Sequence, residues 1–141
     1  MADLDSLVRL KRYGVEEKQK VLADIYRQIE LREARKKELL ERLETERTAL
    51  DKLGDVESYA YFGRFSGVIQ KDMERLDGEI KTFETRLGIA QEEVRTAFAD
   101  LKRVEIVNER RAEEERQEIA DKESQELDEI AIEGFRRKGE Q

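Results

Sequence analysis

The strongest constraint on the fold is a heptad repeat of apolar residues that begins at Ile69 and ends at Val104. Apolar residues recur there at alternating spacings of three and four, as at the a and d positions of a coiled coil. The first row is Met73, Ile80, Leu87, Val94 and Leu101, and the second is Ile69, Leu76, Phe83, Ala90, Ala97 and Val104. A helix with such a stripe needs a partner helix, because its apolar seam would otherwise face water.

The composition supports long helices rather than a globular core. Of the 141 residues, 45% are charged and 38% are hydrophobic, and Pro and Trp are absent. A globular domain of this length normally contains more apolar and aromatic residues, whereas this bias is typical of long helices and coiled coils. We therefore predict an all-α protein with a narrow seam as its core and with no enclosed pocket.

The missing residue types narrow the possible functions. Without Cys and His, the chain lacks thiolate ligands, cysteine nucleophiles, imidazole bases and disulfides. No glycine-rich phosphate loop is present either. We therefore expect no enzyme activity, no metal and no cofactor. The net charge of −7 argues against nucleic acid as a partner.

The sequence also predicts a cytoplasmic location without membrane insertion. Residues 1–10 lack the continuous apolar core of a signal peptide. No apolar run is long enough to span a bilayer.

A first helix is predicted at about residues 4–53, with a weaker seam. Its first heptad row is Val8, Val15, Leu22, Ile29, Lys36, Leu43 and Leu50, and its second is Leu4, Lys11, Lys18, Ile25, Arg32, Leu39, Glu46 and Leu53. Only Lys36 is charged in the first row, whereas half of the second row is charged. Long Lys and Arg stems can lie across apolar neighbours with their charge in water, so these positions remain compatible with packing.

The helical pattern fails at residues 54–67, which contain three glycines and four aromatic residues. This composition predicts a reversal of the chain, with the turn within residues 54–63. Helix can resume as early as Val56 or near Arg64, and we place the second helix at about 64–138. The tip aromatics Tyr59, Tyr61 and Phe62, together with Phe65, either close the end of the seam or form an exposed surface for a partner.

The second helix is predicted to extend beyond the first. It is longer by roughly 20 to 30 residues, which corresponds to about 30 to 45 Å at 1.5 Å per residue. Residues 105–141 carry 13 acidic and 7 basic groups, and their apolar residues follow a different phase from the seam. The prediction is one long antiparallel two-helix coiled-coil hairpin, a single domain of residues 1–141, in which the second helix overshoots the first.

The opening of the sequence and its last third carry motifs that resemble those of a known family. The segment Leu101-Lys-Arg-Val-Glu-Ile-Val-Asn-Glu-Arg-Arg-Ala112 is followed by Leu127-Asp-Glu-Ile-Ala131 and a pair of arginines. The opening Leu4-Asp-Ser-Leu-Val-Arg-Leu-Lys-Arg-Tyr-Gly-Val15 completes the pattern. With these motifs the chain resembles the flagellar export protein family FliJ over essentially its whole length.

The resemblance implies an antiparallel coiled coil similar to the central stalk of rotary ATPases. Its implied partners are the hexameric flagellar export ATPase, the cytoplasmic domain of the export gate and export chaperones of the type III secretion apparatus. The implied location is cytoplasmic and peripheral, at the inner face of the cell membrane beneath the flagellar basal body. The implied mechanism is mechanical coupling, in which the hairpin senses or biases the nucleotide states of the ATPase ring and passes that bias to the gate.

The same resemblance implies two sets of contact residues. The ATPase-contact candidates, at the end that bears both termini, are Leu4, Leu7, Val8, Leu127, Ile130 and Phe135. The export-gate candidates, early in the second helix, are Phe65, Ile69 and Met73. Ile69 and Met73 also belong to the seam.

Three alternatives remain open. One is an export-substrate chaperone, a role that the sequence alone barely separates from that of a stalk. A structural coiled coil that self-associates through residues 105–141 explains the same pattern without an export apparatus. A membrane-surface helix is disfavoured, because residues 1–53 carry 13 basic groups matched by 12 acidic ones.

Overall fold

The computed structural model describes residues 2–139, with side chains from Leu4 onward, as two α-helices. Helix α1 is Ala2–Leu53 and helix α2 is Val56–Gly139. Residues 2–139 contain no strand, so the predicted all-α fold is confirmed. Helix α2 begins at Val56, which is the earlier of the two predicted starts and not the preferred one near Arg64.

The turn between the helices consists of Gly54 and Asp55. Gly54 adopts a φ of 67°, and its N–H donates to the Leu50 carbonyl at 2.9 Å, which ends α1 with a left-handed residue. Asp55 then begins α2 as its N-cap, because its Oδ1 accepts a hydrogen bond from the Ser58 N–H at 2.9 Å. Hydrogen bonds with the side chain and the backbone of Ser58 lower the pKa of Asp55 from its ordinary value. A capped start directly after Gly54 explains why α2 begins so early.

The chain divides into two compact units. One, the hairpin unit, is Gly14–Ala97, and the other, the terminal unit, combines Met1–Tyr13 with Phe98–Gln141. The prediction of a single domain stays a prediction.

The core of the hairpin unit follows the predicted seam. Every seam position of α2 from Ile69 to Ala97 is buried or half-buried. Leu39, only 1% exposed, forms the centre of the core with Ile69 and Leu76, and the half-buried side chains that pack against it are Leu43, Phe65 and Met73. One seam prediction is wrong: Leu53 is exposed, because α1 ends there and no further turn of helix covers it.

Ion pairs join the two helices where the α1 seam is charged. The pairs are Lys18–Glu93, Arg32–Glu79 and Lys36–Asp77. As the residue number rises along α1, its partner's number falls along α2, so the helices are antiparallel. The hydrogen bond with Asp77 and the charge of its carboxylate raise the pKa of Lys36. The charged seam positions thus contribute contacts across the hairpin.

In the terminal unit, the start of α1 packs against the part of α2 that begins at Phe98. Val8 and Leu101 are buried, and Leu4, Leu7 and Val104 are half-buried. Two polar contacts link the segments. Asn108 Nδ2 donates to Asp5 Oδ1 at 2.9 Å, and Arg12 pairs with Glu105 at 3.5 Å.

Beyond Asn108, α2 continues through residues 109–139, here called the tail. Within it, every described residue is exposed except Glu115, which is half-buried. These 31 residues extend about 45 Å along the helix axis. The predicted overshoot of the second helix is therefore present.

Candidate partner-binding surfaces

The aromatic residues near the turn divide into exposed and packed side chains. Tyr59 and Tyr61 are more than half exposed, whereas Phe62 and Phe65 are half-buried. The rings of Tyr61 and Phe65 stack with centroids 6.3 Å apart. The phenylalanines therefore pack and the tyrosines face solvent, and a role of the tyrosines in binding a partner stays a prediction.

An open groove of about 600 Å³ lies beside the turn. Its apolar lining includes Leu50, Leu53, Tyr61 and Phe62, and its polar rim includes Glu46, Asp55, Glu57 and Arg64. The groove is open to solvent.

The three export-gate candidates differ in accessibility. Ile69 is 4% exposed and lies in the core, so its side chain offers almost no surface to a partner. Phe65 and Met73 pack against that core but are only half-buried, and the Arg42 guanidinium lies over the Phe65 ring at 5.5 Å. The heptad repeat explains this difference, because Ile69 occupies the middle of the seam.

Two exposed neighbours extend this surface. Tyr61 and Val68 lie four residues before and three residues after Phe65, which places all three side chains on one side of α2. Both are more than half exposed. We call Tyr61, Phe65 and Val68 the aromatic strip. Val68 is an apolar residue outside the a and d rows of the heptad repeat, so the heptad pattern alone does not predict that it belongs to this surface.

The N-terminal ATPase-contact candidates serve largely as packing residues. Val8 is buried, and Leu4 and Leu7 are half-buried. A shallow polar hollow adjoins Val8 and is lined by Asp5, Arg9, Arg12, Glu105, Asn108 and Glu109. Only part of the Leu4 and Leu7 side chains is therefore accessible to a partner.

The C-terminal ATPase-contact candidates have mostly exposed side chains. Leu127 and Ile130 are each 66% exposed, and Phe135 is 81% exposed. Leu127 lies 19 residues beyond Asn108, or about 28 Å along the helix. Since Asn108 contacts Asp5, the N-terminal candidates and the tail candidates do not form one patch. Two further exposed tail residues, Ile119 and Ile132, were not among the candidates.

The described residues hold no group of His, Cys, Asp and Glu suited to a metal ion. Neither described helix has a stretch apolar enough to cross a membrane.

Comparison with known protein families gives a match over nearly the whole chain. The family model described as Flagellar FliJ protein matches residues 1–140. This match confirms the resemblance indicated by the opening and closing motifs. No curated protein and no solved structure matches the chain.

Proposed function

Because the chain belongs to the flagellar FliJ protein family, we propose that it is a non-enzymatic component that couples the export ATPase to the export gate. Membership of the family supports a role in flagellar export. The specific partners are our proposal: the hexameric export ATPase, the cytoplasmic domain of the gate and export chaperones. Binding to these partners would hold the protein at the inner face of the cell membrane.

One observation supports this proposal above the others. Helix α2 carries exposed apolar side chains near both of its ends, in the aromatic strip and in the tail. Exposed apolar clusters of this kind commonly mark interaction sites. A single helix with two such surfaces suits a protein that contacts two partners.

We assign ATPase contact to the tail residues Leu127, Ile130 and Phe135. Their exposure leaves them free to enter a partner's surface, whereas Val8 stabilises the terminal unit by packing. If the ring binds the tail differently in its different nucleotide states, that difference in affinity shifts the population of the states. The protein then acts by differential contacts and needs no chemistry of its own.

We assign gate contact to Phe65 and Met73, which keep part of their surface exposed. Ile69 supports them from the core. The neighbouring exposed residues Tyr61 and Val68 enlarge the surface available to the gate.

Binding to purified partners tests the proposal. Wild-type protein should bind both the export ATPase and the cytoplasmic domain of the gate. Replacement of Leu127, Ile130 and Phe135 by Ser should abolish ATPase binding and leave gate binding and helicity unchanged. Serine at Leu31, Leu40 and Ile89, which are similarly exposed in the hairpin unit, provides the matched control. The proposal is refuted if the wild-type protein binds neither the export ATPase nor the gate domain.

The second candidate function is self-association through residues 105–141. The exposed apolar residues of the tail favour it, because a second copy could cover them. Sedimentation equilibrium over a range of concentrations distinguishes the two functions. A mass that rises with concentration, and that the tail substitutions return to the monomer value, supports the second function.

A further inference from the structure

The tail presents an apolar face that the chain itself leaves uncovered. The large apolar residues of the tail are Ile119, Leu127, Ile130, Ile132 and Phe135, and all of them are more than half exposed. At about 100° per residue, Ile119, Leu127 and Ile130 fall within about 80° of one another, with Glu123 between them, and Phe135 lies about 80° further round. Ile132 lies about 60° beyond Phe135 and is not part of this stripe. A stripe of this kind is typical of a helix whose packing is completed by another surface.

The charge around this stripe is strongly negative. Residues 113–133 contain two basic residues, Arg116 and Lys122. The same residues contain ten acidic ones: Glu113, Glu114, Glu115, Glu118, Asp121, Glu123, Glu126, Asp128, Glu129 and Glu133. Ten acidic and two basic residues give a net charge of −8 in this segment, against −7 for the whole chain. The negative charge of the protein is therefore concentrated beside its uncovered apolar face.

We propose that the tail binds a basic protein surface in which Lys and Arg side chains surround an apolar groove. The groove would take Leu127, Ile130 and Phe135, and the basic rim would face the glutamates beside them. Electrostatic attraction of this kind accelerates association and selects the partner by its charge. The inference rests on the proposed function in one respect, namely that this surface belongs to the export ATPase.

A second copy of the chain fits the tail less well. Residues 116–135 contain seven acidic and two basic residues, a net charge of −5 that two adjacent copies would bring together. An antiparallel pair would place Arg136, Arg137 and Lys138 beside residues 113–115 of the other copy, but the repulsion between the central segments would remain. Nucleic acid and anionic membranes are repelled for the same reason.

The first experiment measures binding of the full chain to the purified export ATPase by surface plasmon resonance. Four tail glutamates are replaced by Gln, which has a similar helix propensity: Glu118, Glu123, Glu126 and Glu129. The control makes the same change at four exposed glutamates of the hairpin unit: Glu41, Glu44, Glu74 and Glu84.

We expect the tail variant to bind about tenfold more weakly at low salt, mainly through slower association. The control should stay within about twofold of wild type, and wild-type affinity should fall steeply as salt rises from about 50 to about 300 mM. A tail variant that binds like wild type overturns the inference, as does affinity that salt leaves unchanged.

The second experiment is independent of the ATPase. Its probe is a synthetic amphipathic helix of about 28 residues whose Leu seam is flanked by lysines, compared with the same helix flanked by glutamates. Only the lysine peptide should bind the full chain, and Ser at Leu127 and Ile130 should weaken that binding at least about fivefold. If the lysine peptide does not bind, the inference fails. If it binds while the ATPase does not, the inference stands and the proposed function fails.

Discussion

Arg32 of α1 and Glu79 of α2 form an ion pair across the hairpin unit, with Arg32 Nε 2.9 Å from Glu79 Oε2. Arg32 also donates to the Gln28 carbonyl and lies 4.4 Å from the centre of the Phe83 ring. A heptad position that would ordinarily hold a leucine is thus filled by a guanidinium with partners on both helices. This arrangement specifies the alignment of the helices, because a shift along the seam would break the contacts of Arg32 with Glu79 and Phe83 together.

Removal of this guanidinium should destabilise the hairpin unit. We expect Arg32→Ala to lower the free energy of unfolding by about 1–2 kcal/mol, since it removes the ion pair and the contact with Phe83. A double-mutant cycle with Glu79→Ala should give a coupling energy of about 0.5–1 kcal/mol, measured by urea unfolding. Arg35→Ala is the control, because Arg35 pairs only with nearby Glu38 on its own helix among the described ion pairs. Equal effects at the two arginines would contradict this prediction.

Two adjacent leucines should respond very differently to truncation. Leu39 is 1% exposed at the centre of the core, whereas Leu40 is 52% exposed. Leu39→Ala should cost about 2–5 kcal/mol, because it leaves a cavity between the helices. Leu40→Ala should stay within about 0.5 kcal/mol of wild type. Both values come from urea titration followed by circular dichroism. Comparable losses at the two positions would mean that the core lies elsewhere.

The glycines within α2 should be replaceable with a gain in stability. Ideal Cβ atoms placed on Gly78 and Gly88 meet nothing within 4 Å, and both residues are helical. Each change to Ala should therefore stabilise the protein by about 0.5–1 kcal/mol, because glycine is a poor helix former. Gly54→Ala should instead cost about 1–2 kcal/mol, since its φ of 67° strains any residue with a Cβ. Thermal unfolding shows whether each substitution raises or lowers the stability. If Gly78→Ala or Gly88→Ala abolishes partner binding, the partner contacts the backbone at that glycine.

The cap of α2 should weaken in acid. Because hydrogen bonds with Ser58 lower the pKa of Asp55 in the folded state, its contribution to stability is complete above the ordinary value of 3.8. That contribution is lost as the pH falls through the lowered pKa. Asp55→Ala should therefore reduce the urea midpoint at neutral pH, and the difference from wild type should shrink at about pH 2. The Asn side chain in Asp55→Asn caps the helix without titrating, so its contribution to stability should be the same at both pH values. A difference that grows in acid would contradict the prediction.

The aromatic strip should contribute to gate binding without contributing much to stability. Replacement of Tyr61 and Val68 by Ser should weaken binding to the cytoplasmic domain of the gate about five- to tenfold, since exposed aromatics often dominate interfaces. Tyr13→Ser with Val21→Ser gives a matched control, because these side chains are also more than half exposed. Unfolding temperatures of both variants should match wild type. Gate binding that is unaffected by the loss of Tyr61 and Val68 would remove the strip from the proposed surface.

The heptad spacing alone was enough to predict which α2 residues would be buried. Ile69 and Leu101 are buried as predicted, because a strict repeat leaves one side of a helix to face its partner. Polar seam positions were less informative, since the partner of Lys36 depends on how the two helices align. The sequence left the start of α2 open between Val56 and Arg64, because the position of the cap at Asp55 depends on the φ of the glycine before it.

The candidate sites could be predicted only in part. The exposure of Leu127 and Ile130 follows from the change in heptad phase after the seam. The distance between these residues and the start of α1 could not be predicted, because it depends on which residues of α2 the start of α1 packs against. The burial of Ile69, which leaves it little surface for a partner, follows from its position in the heptad seam. Val68 was missed because it belongs to neither seam row, so only the structure shows that it is exposed beside Phe65.

The antiparallel pairing has a consequence for how the protein is made. Arg32 and Glu79 are 47 residues apart in the chain, Lys18 and Glu93 are 75 apart, and Asp5 and Asn108 are 103 apart. At synthesis rates of about 5–20 residues per second, Lys18 waits about 4–15 s for its partner to be translated. Helix α1 therefore leaves the ribosome with its apolar seam uncovered. We expect its many charged residues to keep the incomplete chain in solution until α2 arrives, as well as to solvate the finished surface.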